Sequence, residues 1–98
     1  MDLEFIWDEE KNIVNIMKHG VSFEEAKMVF FDSMRLDLFD EDHSGTEDRW
    51  KVFGLAGWVV LMVSYTEKDG LIRIISARKA RPIEEEAYFY GYGTDYSI

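Results

Sequence analysis

The sequence predicts an α+β domain: a mostly antiparallel sheet of four to five strands, with two helices at the N-terminal end and one at the C-terminal end. Three observations carry this prediction. Ser22-Phe23-Glu24-Glu25 matches the S-x-x-E capping box that opens a helix. Asp69-Gly70 separates two apolar, β-rich runs, a strong signal for a tight hairpin. Pro82, with Glu84, Glu85 and Glu86 close behind, has the composition of a first helical turn.

Each element follows from its local pattern. Leu3, Phe5 and Trp7 alternate with Glu4 and Ile6, which reads as a short strand. Asp8 is placed to cap a helix whose first turn holds Glu9 and Glu10 and whose apolar stripe is Ile13, Val14 and Met17. Gly20, after Lys18 and His19, suits its left-handed end. Phe23, Ala26 and Phe30 space a second helix that ends near Phe30 or Phe31. Met34, Leu36 and Leu38 alternate as a strand, and residues 40–48 (DEDHSGTED) form a polar loop. From Arg49 the chain turns β-rich: a strand with Trp50, Val52 and Leu55, a turn at Ala56-Gly57, and a central strand from Trp58 to Thr66. Leu71 to Ala77 pairs back across the Asp69-Gly70 turn. The last helix starts at Pro82, and Gly91 and Gly93 stop it, leaving a tail mobile from about residue 92 or held by a partner. The expected core is Trp7, Val14, Phe23, Phe30, Leu36, Leu61, Val63, Ile72 and Ile74.

At 98 residues, with no internal repeat and no linker, residues 1–98 are expected to form a single domain. Its longest apolar run is the six residues from Trp58 to Val63, far short of a membrane span, so no membrane partner is expected. The acidic start MDLEFIWDEE lacks the basic region of a secretion signal, and a cytoplasmic location is expected. The chain contains no cysteine, which excludes disulfides, thiolate metal sites and a cysteine nucleophile. Two histidines are too few for a closed zinc site, and the acidic 40–48 loop lacks the D-x-[DN]-x-[DN]-G pattern of a calcium loop. No metal or cofactor is expected. G-x-S-x-G and glycine-rich phosphate motifs are absent.

Charge is unevenly distributed along the chain. The net charge is −9, yet residues 51–81 hold six basic residues against two acidic ones: Lys51, Lys68, Arg73, Arg78, Lys79 and Arg81. This is either a solvated strand face or a local anion site on an acidic body, and such a body suits a basic partner. In the second reading, an arginine fork clamps a phosphate while Glu67 or Lys68, at the hairpin, moves a proton. RNA carries its own 2′-hydroxyl nucleophile, so metal-free RNA cleavage needs only these parts. Arg73 and Arg78 lie five positions apart, on opposite faces of a regular strand, unless the strand ends or bulges between them. Arg78 is the preferred phosphate holder.

Three segments point further. FIWDEEKNIVNIMKHGVSFEEA (5–26), DHSGTEDRW (42–50) and SYTEKDGLIRIISARKA (64–80) resemble, in order and spacing, the BrnT family of toxins. The resemblance implies a RelE-like fold and the toxin half of a type II toxin–antitoxin pair, which cuts RNA and blocks translation. It implies a small antitoxin with a ribbon-helix-helix DNA-binding domain, through which alone the toxin reaches operator DNA. By position it points to Arg49, Glu67, Arg73 and Arg78 as catalytic candidates; Lys51, Lys68, Lys79 and Arg81 are candidates for binding RNA. The sequence departs from the family pattern at Lys68, where arginine is usual, and at Arg81-Pro82-Ile83-Glu84-Glu85-Glu86, where a basic helix is usual. A protein that keeps the fold and the antitoxin contact with weak or no cleavage is therefore the alternative reading.

Overall fold

The computed structural model describes residues 3–90. Among them, five strands form one sheet: β1 (Glu4–Ile6), β2 (Leu36–Phe39), β3 (Trp50–Ala56), β4 (Val59–Lys68) and β5 (Leu71–Lys79). Three α-helices accompany it: α1 (Glu9–His19), α2 (Phe23–Lys27) and α3 (Pro82–Tyr90). The strand order is β1-β5-β4-β3-β2. β2 through β5 form the expected antiparallel meander, but β1 lies parallel to β5, so the sheet is mixed. The parallel pairing follows from connectivity, because β1 reaches the far side of β5 before the chain passes through both N-terminal helices.

Local chemistry sets the element ends. The Asp8 carboxylate accepts from the backbone N–H groups of Glu10 and Lys11, and Gly20 closes α1 at φ 70°. Ser22 and Glu25 make both bonds of the capping box. α2 is short and tightens into a 3₁₀ turn over Met28–Phe31. Asp69 and Gly70 both adopt positive φ, at 52° and 82°, as a two-residue hairpin of matching twist requires. The β3–β4 turn falls one residue later than expected, on Gly57 and Trp58. Trp58 is 98% exposed at its tip rather than inside a strand.

One face of the sheet packs Val52, Leu61, Val63, Tyr65, Ile72, Ile74 and Ala77 against Phe23, Ala26, Val29 and Phe30. On the other face, Phe53, Val60 and Met62 pack with Tyr88 of α3. Of the expected core, Trp7 and Leu36 are half-buried. Val14 is 57% exposed, and Ile13 and Met17 of the same stripe also face outward. α1 instead buries Asn12 and Asn15. The reason is that α1 lies against backbone rather than apolar side chains. The side-chain Oδ1 of Asn12 accepts from Phe23 N–H, and the side-chain amide of Asn15 bonds both backbone groups of Ala77 and the carbonyl of Val21. The Gly91 and Gly93 stop and the tail from about 92 lie outside the described residues.

Candidate active site

α3 covers only part of its face of the sheet. The remainder is polar, and strand alternation decides which residues line it. Lys51 on β3 is opposite Ser64 on β4, and Ser64 is opposite Ser76 on β5. One step along, Met62 is opposite Arg78. The β4–β5 register then shifts: Ser64 is opposite Ser76 but Tyr65 is opposite Ile74, which leaves Ile75 as an extra residue. This bulge settles the five-residue problem, since it returns Arg73 and Arg78 to the same face of the sheet.

The two arginines nevertheless serve different hollows. Arg78 lines a cleft of about 410 Å³ together with Asp40, His43, Arg49, Lys51 and Arg81. Arg73 pairs with Glu47 at 2.5 Å and lines a neighbouring hollow with Glu67 and Lys68. The Glu67 carboxylate accepts from Gly70 N–H at 3.0 Å, bracing the hairpin turn. Lys79 is opposite Leu61, a residue of the α2-side core, so it belongs to the other face. The structure thus brings together Arg49, Lys51, Arg78 and Arg81, and sets Glu67, Lys68, Arg73 and Lys79 apart from them.

The 40–48 loop adds a histidine to the cleft. Backbone N–H of Asp40 donates to the Arg49 carbonyl at 2.9 Å, closing the loop at its base. Ser44 Oγ donates to the Asp40 carbonyl at 2.7 Å and accepts from Arg49 N–H at 2.8 Å. This clasp places His43 Nδ1 at 3.0 and 3.1 Å from the two carboxylate oxygens of Asp40. Asp40 is buried. Burial alone would raise its pKa, but the His43 hydrogen bond and the nearby Lys51 charge outweigh it and hold the carboxyl below its ordinary value. An ionised Asp40 can only accept, so Nδ1 carries the hydrogen and Nε2 is the outer nitrogen. The sequence signal was an acid three residues before a histidine, D-x-x-H, a spacing that one short helical turn brings into contact.

At the opposite wall, Glu84 of α3 meets Arg78 through two parallel bonds, Nη1 to Oε1 at 2.8 Å and Nη2 to Oε2 at 3.0 Å. The Arg78 hydrogen bond, ahead of all other influences, holds the Glu84 carboxyl below its ordinary pKa. α3 is anchored by Tyr88, whose hydroxyl donates to the Asp32 carboxylate. That carboxylate also accepts from the backbone N–H groups of Met34 and Leu55. The cleft therefore gathers guanidinium and ammonium groups suited to a phosphodiester beside an oriented imidazole suited to proton transfer.

A family model described as the ribonuclease toxin BrnT of a type II toxin–antitoxin system matches residues 7–84. The chain belongs to the BrnT family. The matched span contains every residue of the cleft, from Asp40 to Glu84. That family is one of ribonuclease toxins of type II systems, so membership supports an RNA-cleaving role and implies a protein antitoxin as partner. No curated protein matches the sequence. Among the described residues, no helix is long and apolar enough to cross a membrane.

Proposed function

We propose that this BrnT protein is a metal-independent endoribonuclease that blocks translation by cutting RNA in the Arg78 cleft. Arg78 and Arg49 hold the scissile phosphate, while Lys51 and Arg81 line the path of the flanking backbone. His43 Nε2, oriented by Asp40, takes the 2′-hydroxyl proton, and the oxygen attacks the adjacent phosphorus. The arginines stabilise the charge that builds on the phosphoryl oxygens. The bond from phosphorus to the 5′-oxygen breaks, that oxygen takes a proton from water, and a 2′,3′-cyclic phosphate remains. Glu67 and Lys68, the candidates that the hairpin suggested for proton transfer, lie in the adjacent hollow. His43 takes that role because it stands in the same cleft as Arg78.

The observation that carries this reading is the convergence of His43–Asp40 with Arg49 and Arg78 in one cleft. The five-stranded sheet, with two helices before its meander and one after, supports the RelE-like arrangement that the resemblance implies. The partner in this reading is a small antitoxin with a ribbon-helix-helix domain, through which alone the toxin reaches operator DNA. Its basic surface is steered by a toxin of net charge −9.

The test is cleavage of a defined RNA by the purified chain, with the product ends analysed. Cyclic phosphate ends, unchanged rates in EDTA and a loss of roughly 10²–10⁴-fold in His43→Gln support the reading. Cleavage that chelation abolishes, or that His43→Gln retains, contradicts it. The one observation that favours a non-cleaving antitoxin-binding protein is the carboxylate of Glu84 seated on Arg78.

A further inference from the structure

We propose that Glu84 is a positioning residue for cleavage: it holds the Arg78 guanidinium end-on, so that the side-on edge of the same group is presented to the phosphate. The inference rests on the reading of the Arg78 cleft given above, and it reverses the apparent meaning of an acidic residue beside an RNA site.

The argument is a donor inventory. A guanidinium has five N–H bonds fixed in one plane. The two facing hydrogens of Nη1 and Nη2 go to Glu84, at 2.8 and 3.0 Å. The second Nη1 hydrogen lies on the side of the group nearer its own stem, and it donates to the Lys79 carbonyl at 3.1 Å. Two donors are left, Nε–H and the outer N–H of Nη2, and they lie on the same edge. Among the described residues nothing accepts from them. They form a second fork of the right geometry for two phosphoryl oxygens. Glu84 and a phosphate can therefore occupy Arg78 together, on adjacent edges, without competing for any hydrogen.

The brace is itself held. Glu84 Oε1 accepts from the backbone N–H of Arg81, the residue just before α3, at 2.8 Å. Its side chain is 15% exposed and that of Arg78 is 21% exposed, so neither swings freely in water. A long arginine ordinarily loses rotamer freedom when it grips a ligand. Here Glu84 and the Lys79 carbonyl have already restricted that freedom before RNA arrives. The pair contributes direction; Arg81, whose Nη1 lies 3.8 Å from Glu84 Oε2, shares that carboxylate, and Arg49 and Lys51 add the positive charge that attracts the backbone. Misplacement by about 1 Å can lower a rate 10²-fold, so a brace of this kind acts on the chemical step more than on binding.

The experiment measures kcat and KM for RNA cleavage separately in Glu84→Gln, Arg78→Ala and the double variant, with unfolding curves for each. Glu84→Gln keeps the shape of the side chain but replaces one acceptor by a donor. The expected result is a kcat lowered roughly 10- to 100-fold, a KM changed by less than about threefold, and no further loss when the substitution is added to Arg78→Ala. A rise in kcat/KM in Glu84→Gln would make Glu84 a competitor of the substrate and overturn the proposal. Unchanged kinetics with lowered stability would leave it a purely structural ion pair and overturn it equally. If Arg78→Ala retains cleavage, the cleft reading fails; if it loses cleavage while Glu84→Gln does not, only this inference fails.

Discussion

The side-chain amide of Asn15 takes the place of a neighbouring strand for Ala77. Its Oδ1 accepts from Ala77 N–H at 3.1 Å and its Nδ2 donates to the Ala77 carbonyl at 2.8 Å. β1 pairs with β5 through residues 71–73, and beyond that point no strand among the described residues lies on this edge of β5. An asparagine carries one donor group and one acceptor, the same pair that a strand residue offers. The open edge is closed without adding backbone.

Asn15→Ala should therefore cost about 2–4 kcal/mol, because it leaves a buried N–H and two carbonyls without partners. Urea denaturation measures it. Asn15→Asp should cost at least as much at pH 7, since a carboxylate can accept from Ala77 N–H but cannot donate to either carbonyl. The introduced carboxyl, favoured in its protonated form, has a raised folded pKa, so its penalty relative to the unsubstituted chain shrinks on acidification.

Arg78→Ala and Arg73→Ala should separate the two hollows. Arg78→Ala is expected to lower cleavage by roughly two orders of magnitude, the scale of one transition-state donor. Arg73→Ala removes an exposed ion pair with Glu47 and is expected to change cleavage by less than about tenfold, with stability shifting by about 1 kcal/mol or less. Rates of defined-RNA cleavage, normalised to folded protein, check both. An equal loss in the two variants would mean that the hollows act as one site.

The anchorage of α3 should fail in alkali. Burial, and then the hydrogen bond to Asp32, push the Tyr88 hydroxyl up to about 12 from an ordinary 10.0. A group whose folded pKa is raised adds stability that is whole below its unfolded pKa and is lost as pH rises toward the folded one. Stability should fall between pH 10 and about 12, and Tyr88→Phe should flatten that part of the curve. Denaturation midpoints measured across this range test it. A profile unchanged in Tyr88→Phe would show that the bond to Asp32 does not hold α3 down.

The exposed stripe of α1 and the buried face of β4 offer a direct stability comparison. Val14→Ser, at an exposed position, should shift stability by no more than about 0.5 kcal/mol. Leu61→Ala, in the α2-side core, should cost about 2–5 kcal/mol. Thermal or urea unfolding of both variants is the check, and a larger loss at Val14 than at Leu61 would return the apolar stripe to the core.

Where the sequence was legible, the determinant was local. Asp8, Ser22, Gly20 and Asp69-Gly70 act through bonds or dihedral angles within a few residues, and each stands where its pattern places it. α1 misled because a hydrophobic stripe is read on the assumption that apolar side chains face inward. When the surface beneath a helix is a strand edge, the buried side chains must be polar, and periodicity then selects the wrong face. The relation of Arg73 to Arg78 stayed open for a similar reason. A bulge depends on pairing across strands, and the β5 sequence alone does not mark Ile75 as the extra residue. His43 sits in an acidic loop whose composition points to metal ligands rather than to a base. Its partner Asp40 is near in sequence, but only the fold sets the pair opposite Arg78.

The pairing of β1 with β5 also orders events during synthesis. A chain emerges from the ribosome N-terminus first, yet Glu4, Phe5 and Ile6 find their partners only at Leu71, Ile72 and Arg73. The Asn15 contact to Ala77 waits across 62 residues in the same way. Such long loops close late. Until β5 has been made, β1 and α1 have no edge to settle on, and the cleft lacks both Ser76 and Arg78. A chain released early is thus without its N-terminal docking and without Arg78 for one shared reason. Synthesis of the chain delivers Arg78, the residue on which the proposed cleavage rests, only with the strand that completes the sheet.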